Sequence, residues 1–294
     1  MPLRSSKNLQ VDMQPNTEFT FLCVNLGNAD LKYFNDRHRN KLVSRRVEGK
    51  IARRIARLNP DIVVYQESIG HLEYAGRDPL EPQIRRLLGD EYSIIADNRF
   101  QFEGIAVKRT TGIIEGVEPG AYAYNPRTES LGGECDDGFA SQVVTIFLSN
   151  GCAFEIAAFH LHSLDVYCRA RVLRSILGNA PTPSKLRSNN VVMAGDFNFD
   201  PWRFVDPSIE TWHALTRTGW HGQPFHHHNQ LAADGLPELT SQALFLNRTI
   251  DFVVSNFLIG TLATLGTTPG TQRLDGGSGC DHRALFGKLS VRPT

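Results

Sequence analysis

The apolar residues of this chain fall into short runs, most of them bounded by polar or turn-forming residues. The clearest run is Val191-Val192-Met193-Ala194, whose length and β-branched residues are typical of a buried strand. It ends at Gly195, and the polar residues Asp196 and Asn198 follow. Because side chains alternate along an extended chain, both polar groups are predicted to leave the strand on one face. A polar turn and a ligand site both fit this stretch on its own.

The same criteria predict further strands along most of the chain. Their predicted bounds are 19–25, 61–67, 92–96, 104–108, 113–117, 142–148, 153–159, 249–254, 258–265 and 284–291. Ser149-Asn150-Gly151 predicts a hairpin between two of them, because Asn-Gly accepts positive φ angles at low cost.

Amphipathic patterns predict helices between the strands. One begins near Lys41 and stops before Pro60, with its apolar face at Val47, Ile51 and Ile55, and others are expected at 81–88, 165–177 and 209–217. Residues 118–138, 221–236 and 273–279 are predicted loops, and residues 1–16 a loosely held tail. Many strands with interspersed helices favour an α/β fold of two sheets packed face to face with helices outside.

The composition of the chain argues against several classes of protein. The 31 basic and 31 acidic residues balance, so no overall field demands nucleic acid or an anionic membrane. Five cysteines without CxxC spacing argue against a disulfide framework and a zinc knuckle, and predict buried thiols instead. The sequence contains neither a signal-peptide pattern nor a membrane-spanning apolar run, so we expect a cytoplasmic protein.

Several polar residues share a position in or beside a predicted strand, most of them at its end. They are Asn25, Glu67, His160, Asp196, Asn198, Asp251, Asp281 and His282. A hard cation such as Mg²⁺ needs carboxylates, which Glu67 and Asp281 can offer. Hydrolysis of a phosphate ester also needs a group that activates water and donors for the phosphate oxygens, and the remaining residues suit those roles.

The order of these residues resembles a known family. Asn25, Gln66-Glu67, His160-Leu161, Gly195-Asp196-Phe197-Asn198, Ile250-Asp251-Phe252 and Asp281-His282 are similar to the motifs of the endonuclease/exonuclease/phosphatase superfamily, the deoxyribonuclease-I-like fold. The similarity runs from about Thr17 to Val291. It implies a four-layered α/β sandwich, two mixed β-sheets packed face to face with helices outside, and a single catalytic domain over 17–294.

The resemblance also implies roles for individual residues. Glu67 would bind the divalent metal, Mg²⁺ or Mn²⁺, with Asn25 and Asp281 nearby. Asp196 would position or activate the attacking water, and Asn198 would contact the phosphate. His282 would act on the scissile phosphate and be held by Asp251.

The second histidine, His160, carries a further implication. The resemblance gives it a phosphate-binding or acid-base role, which leans toward the deoxyribonuclease, sphingomyelinase, inositol-phosphatase and deadenylase branches. Two departures stand out. Cys280 replaces the usual serine before Asp281-His282, and Ser141-Gln142 stands where some two-histidine members carry a supporting carboxylate. Glu134, Asp136 or Asp137 could supply that carboxylate, or His160 is less strongly oriented.

Three further signals have competing interpretations. The basic stretch 32–57 could bind nucleic-acid phosphates or be a solvated helix face, and its loop part, with Arg37 and Arg39, is the better candidate for substrate binding. Trp202 could line a substrate groove or pack internally. The tract His226-His227-His228 is expected to be a solvated loop rather than a metal site.

These features together predict a divalent-metal-dependent phosphodiesterase, with a nuclease acting on DNA or RNA as the leading hypothesis. One alternative is a phosphatase or phospholipase-C-like hydrolase of a lipid or small molecule. A lipid substrate would require an exposed apolar loop near the site, and residues 113–124 are only mildly apolar. The other alternative is a catalytically dead binding module, whose signature would be a lost metal or phosphate residue.

Overall fold

The computed structural model describes residues 18–26, 49, 52–66, 83–96, 103–124, 141–162, 165–177, 186–203, 208–241, 248–265 and 282–292. The strands are β1 (Glu18–Asn25), β2 (Ile62–Gln66), β3 (Tyr92–Ala96), β4 (Gly104–Lys108), β5 (Gly112–Ile114), β6 (Tyr122–Tyr124), β7 (Ser141–Leu148), β8 (Ala153–His160), β9 (Val191–Asp196), β10 (His226–His227), β11 (Asp251–Ser255), β12 (Leu258–Thr264) and β13 (Leu285–Val291). The helices are α1 (residues 52–58), α2 (Gln83–Leu88), α3 (Val166–Leu177) and α4 (Ser208–Arg217).

The strands form two mixed sheets. Sheet A has the order β12-β13-β1-β2-β4-β3-β6, and sheet B has the order β10-β11-β9-β8-β7-β5. Three pairs, β1 with β2, β3 with β6, and β8 with β9, are parallel, and the other pairs are antiparallel.

The core has three apolar layers. The middle layer lies between the sheets, where Phe21 and Val64 of sheet A pack with Ile156 and Val253 of sheet B. A second layer packs the helices α1 and α2 on the outer face of sheet A. A third packs α3 and α4 on the outer face of sheet B through an aromatic cluster that includes Trp212 and Phe252. The fold is therefore the four-layered α/β sandwich that the resemblance implies.

The predicted strands all have counterparts, because strands buried on both faces read as continuous apolar runs. The predicted loop 118–138 was wrong in one part: Tyr122–Tyr124 is β6, which pairs in parallel with β3 at the edge of sheet A. The run is three residues long, too short to show a period in the sequence. β10 was likewise missed within the predicted loop 221–236.

The cysteines depart from expectation in one respect. Cys23 and Cys152 are free and buried, as predicted. Cys168 is instead disulfide-bonded, to a cysteine outside the described residues. Among the described residues, no helix has the length and apolar character needed to cross a bilayer.

Strand register brings the polar strand ends to one edge of the sandwich. In the parallel pairs, Asn25 lies beside Gln66 and His160 lies beside Asp196. β11 runs antiparallel to β9, so its first residue, Asp251, lies beside Asp196, the last residue of β9. Polar groups that are far apart in the chain therefore meet at a single edge.

Gly195 is needed for the close approach of β9 to β8. Its φ is +137°, and a Cβ at this position would lie 2.0 Å from the carbonyl oxygen of Phe159. Only a residue without a side chain fits there, and the next residue is Asp196. The backbone that places Asp196 thus depends on a glycine.

We expect Gly195→Ala to lower the free energy of unfolding by at least about 2 kcal/mol, because β8 and β9 must separate to admit the methyl group. Urea unfolding measures the change. Gly222→Ala is the matched control, since Gly222 also has a positive φ of +78° but a Cβ there meets nothing within 4 Å. The control should cost about 1 kcal/mol. Equal losses in the two variants would contradict the steric explanation.

Candidate active site

A cluster of buried polar side chains occupies the edge where the strand ends converge. Asn25 comes from β1, His160 from β8, Asp196 from β9 and Asp251 from β11, and His282 precedes β13. Asp196, Asp251 and His282 each present a possible ligand atom, all within 4.8 Å of one another. Both sheets therefore contribute to one compact site.

Asp196 lies at the centre of the cluster. Its Oδ2 accepts a hydrogen bond from Asn25 Nδ2 at 3.1 Å, and its Oδ1 accepts one from the backbone N–H of Asn198 at 2.8 Å. The Nε2 atoms of His282 and His160 lie 3.6 Å and 3.9 Å from Oδ2. Donors on both oxygens fix the orientation of this carboxylate, and two imidazoles face it.

Asp251 and His282 form a pair across the two sheets. His282 Nδ1 lies 2.9 Å from Oδ2 and 3.2 Å from Oδ1 of Asp251. This geometry assigns the Nδ1 proton to the bond with Asp251, which leaves Nε2 directed toward Asp196. The resemblance implies that Asp251 holds His282, and the two side chains are in contact in the structure.

The second histidine faces a carboxylate that was not anticipated. His160 Nδ1 lies 3.4 Å from Oε1 of Glu103, whose side chain is 1% exposed. Burial, with a smaller contribution from His282, lowers the pKa of His160 to about 3. His160 is therefore neutral near pH 7.

Glu103 places a carboxylate beside His160 that the sequence analysis did not name, and the candidates it gave, Glu134, Asp136 and Asp137, lie outside the described residues. Glu103 precedes β4, and β4 is antiparallel to β2, so the start of β4 lies at the same edge as the end of β2. The sequence analysis considered mainly polar residues that follow a strand and therefore missed Glu103. A carboxylate directly before the predicted strand 104–108 was the signal that could have identified it. Gln142 Nε2 donates to the backbone carbonyl of Glu103 at 2.8 Å, so Gln142 holds the backbone that carries this carboxylate.

The donor set fits a hard cation only in part within the described residues. Asp196 and Asp251 offer carboxylate oxygens, but those of Asp251 already accept from His282 Nδ1. The Asn25 amide nitrogen is directed at Asp196. Glu67 and Asp281, the predicted metal ligands, lie outside the described residues, and Glu67 directly follows Gln66, the last residue of β2.

Several solved structures are similar to this fold. A protein titled endonuclease/exonuclease/phosphatase from Bacteroides vulgatus matches over 94% of this chain and 100% of its own, with a TM-score of 0.64 and 14% identity. The chain has the endonuclease/exonuclease/phosphatase fold. A family protein from Bacteroides thetaiotaomicron matches over 94% of this chain and 99% of its own, with a TM-score of 0.62 and 16% identity.

A third similar structure has a named activity. ANGEL2, a 2′,3′-cyclic phosphatase in complex with adenosine-2′,3′-vanadate, matches over 94% of this chain and 96% of its own, with a TM-score of 0.59 and 17% identity. No protein-family model and no curated protein sequence matches the chain. The resemblance to the endonuclease/exonuclease/phosphatase fold thus rests on structure and on the short motifs.

The other predicted substrate residues have different surroundings. Asn198 adopts a φ of +53°, which asparagine tolerates, and its Nδ2 donates to the Leu161 carbonyl at 2.7 Å. This bond joins the ends of β8 and β9. Trp202 packs edge-on against Trp212 and Phe252 in the outer layer of sheet B. Its role as a substrate contact stays a prediction, and Arg37 and Arg39 lie outside the described residues.

The histidine tract was only partly predicted. His226 is exposed, but His228 is buried, because the chain here pairs with β11 and lies beside β12. His228 Nδ1 lies 3.0 Å from the Gly260 carbonyl, and Nε2 lies 2.7 Å from Ser255 Oγ. In the neutral form, Nδ1–H donates to the carbonyl and Nε2 accepts from the hydroxyl. Burial is the main cause that lowers the pKa of His228 to about 4.

We expect the stability of the protein to fall as the pH decreases from about 6.5 to about 4, in part through His228. The unfolded chain binds a proton in this window that folded His228 does not, so each pH unit costs up to about 1.4 kcal/mol. His228→Asn keeps a donor for Gly260 but no longer titrates, and should flatten the slope measured by urea unfolding between pH 7 and pH 5. An identical slope in His228→Asn and the wild type would contradict this assignment.

Proposed function

We propose that this protein is a divalent-metal-dependent phosphodiesterase and that its substrate is DNA or RNA. The observation that carries the proposal is the convergence of Asn25, His160, Asp196, Asp251 and His282 at one edge of the sandwich. Two carboxylates, two imidazoles and an amide within contact distance suit the hydrolysis of a charged ester. The fold comparisons support the class of reaction.

Asp196 is the group we assign to the attacking water. Its two oxygens are held by Asn25 Nδ2 and the Asn198 backbone N–H, so the carboxylate cannot rotate freely. A fixed carboxylate can accept a proton from a water molecule and orient that water so that the lone pair of its oxygen faces the phosphorus atom. The fixed orientation favours Asp196 as the general base.

His282 is the group we assign to the phosphate. Asp251 accepts from Nδ1 and leaves Nε2 to face the centre of the site, the arrangement by which an aspartate fixes a histidine tautomer and stabilises the imidazolium that forms. His160 also faces Asp196, with Nε2 3.9 Å from Oδ2, and it is neutral near pH 7. A neutral imidazole can hydrogen-bond a phosphate oxygen or pass a proton without adding permanent charge.

The cation site is assigned to Glu67, Asn25 and Asp281. Glu67 follows β2 directly in sequence, and the end of β2 lies beside Asn25. Bound Mg²⁺ or Mn²⁺ would neutralise charge on the phosphate oxygens. The carboxylates and the carboxamide are the oxygen donors that such hard cations prefer.

Two observations favour a nucleic acid as the substrate. Arg37 and Arg39, with the other basic residues of 32–57, could bind backbone phosphates. The similar ANGEL2 structure is a complex with adenosine-2′,3′-vanadate, so a protein of this fold binds a nucleoside derivative. That protein is a 2′,3′-cyclic phosphatase, so a phosphatase activity is the second candidate for this chain.

The proposal is tested by hydrolysis with and without Mg²⁺. The panel contains single- and double-stranded DNA, RNA, a 2′,3′-cyclic nucleotide, a phosphoinositide and sphingomyelin. We expect metal-dependent cleavage of a nucleic acid, and a fall in kcat of about 10²- to 10⁴-fold in His282→Ala and in Asp196→Asn. His226→Ala and Asp234→Asn change exposed residues of the same types and should leave kcat unchanged.

Each other outcome has a defined meaning. Hydrolysis of the cyclic nucleotide or a lipid alone would overturn the nuclease proposal and favour a phosphatase or phospholipase-C-like enzyme. Turnover that survives both substitutions would refute the site assignment. An absence of turnover on every substrate would favour a binding module.

We expect Glu103→Leu to lower kcat by about 10- to 100-fold, because His160 then loses the carboxylate beside its Nδ1. Leucine has a similar volume and suits a buried position, so the fold should persist. Kinetics on the substrate found above measure the change. Glu155→Leu is the matched control: Glu155 is also buried, but it accepts from the backbone N–H groups of Arg187 and Ser188. The control should lose stability but keep kcat, and an equal loss of kcat in both would show that Glu103 is only structural.

A further inference from the structure

The two halves of the Asp251–His282 pair belong to different sheets. Asp251 begins β11 of sheet B, and His282 precedes β13 of sheet A. Stacked sheets are about 10 Å apart, a gap that two facing side chains can span. The 2.9 Å contact between Asp251 and His282 therefore depends on how the backbone of each partner is held.

Residues 239–241 lie between the two partners and hydrogen-bond to both sides. On the sheet B side, Ser241 and Arg248 exchange backbone hydrogen bonds of 3.0 Å and 3.1 Å, just before β11. On the sheet A side, the Arg283 N–H donates to the Thr240 carbonyl at 2.7 Å, and Ser241 forms a β-bridge with His282. This short segment links the backbone of the carboxylate partner to that of the histidine.

The side chain of Thr240 completes the link. Thr240 is fully buried, and its Oγ1 accepts hydrogen bonds from the backbone N–H groups of Ile250 and Asp251, each at 3.0 Å. Both acceptor lone pairs of the hydroxyl are thus used on the backbone of Asp251 and of the residue before it. The same residue's carbonyl holds Arg283, the neighbour of His282.

We propose that Thr240 is a positioning residue that sets the distance between Asp251 and His282. Its hydroxyl fixes the backbone of Asp251, while its carbonyl fixes the backbone next to His282. The consequence for catalysis rests on the proposed function, but the consequence for geometry does not. Thr240 touches no reacting atom and acts only through the pair.

Thr240→Val tests the proposal, because valine keeps the shape and removes the acceptor. Crystal structures of the variant and the wild type should show the Nδ1–Oδ2 separation lengthened beyond hydrogen-bond distance. On the identified substrate, kcat should fall about 10- to 100-fold with KM nearly unchanged. Thr240→Ser keeps the hydroxyl and should restore both the separation and kcat.

Two controls separate positioning from general destabilisation. Thr20→Val makes the same change at the opposite end of β1 from Asn25, where Thr20 Oγ1 accepts the Asp61 N–H at 2.9 Å, and should leave kcat and the separation unchanged. In a His282→Ala background, Thr240→Val should lower kcat no further, since the pair is already lost. Should Thr240→Val fail to fold, Thr240→Cys, with its weakly accepting thiol, is measured instead with the same expectations.

The proposal is overturned if Thr240→Val keeps the separation at 2.9 Å, if Thr240→Ser behaves like the valine variant, or if the loss of kcat persists in the His282→Ala background. A wild-type protein that hydrolyses none of the phosphate esters would refute the proposed function. The crystallographic separation would still decide the role of Thr240 in that case.

Discussion

The contact between Asp251 and His282 is the interaction on which the site depends, because it joins the two sheets at their polar edge. A buried carboxylate is costly unless it is paired and hydrogen-bonded. Asp251 meets that condition through His282, and Asp196 meets it through Asn25 and the backbone of Asn198. The buried acidic residues at this edge of the sandwich thus have the partners that offset the cost of their burial.

The two histidines of the site have different surroundings. His282 has an aspartate at hydrogen-bond distance, whereas His160 is more deeply enclosed, and burial lowers its pKa to about 3. Glu103 lies 3.4 Å from His160, a longer contact than the 2.9 Å of the Asp251–His282 pair. Two imidazoles beside one carboxylate are therefore chemically distinct, which is the difference that acid-base catalysis exploits.

Packing in the apolar layers fixes the positions of the polar side chains at the edge of the sandwich. Phe252 follows Asp251 and points into the aromatic cluster with Trp202, Trp212 and Phe197, while Gly195 allows β9 to approach β8. Aromatic side chains with few rotatable bonds hold a strand firmly. The rigidity that places Asp196 and Asp251 thus comes from residues on the opposite face of sheet B from the site.

The sequence by itself predicted most of the strands, because runs buried on both faces appear as apolar stretches, and it named Asn25, His160, Asp196, Asp251 and His282, which the structure brings together at strand ends. It did not reveal β6, β10, the burial of His228, the contact of Glu103 with His160 or the hydrogen bonds of Thr240. Each of these depends on contacts between residues far apart in the chain. Glu103 became a neighbour of His160 only because β4 runs antiparallel to β2, and Thr240 reached Asp251 and Arg283 only because the two sheets stack. Local patterns specify elements, whereas tertiary packing alone decides which elements meet.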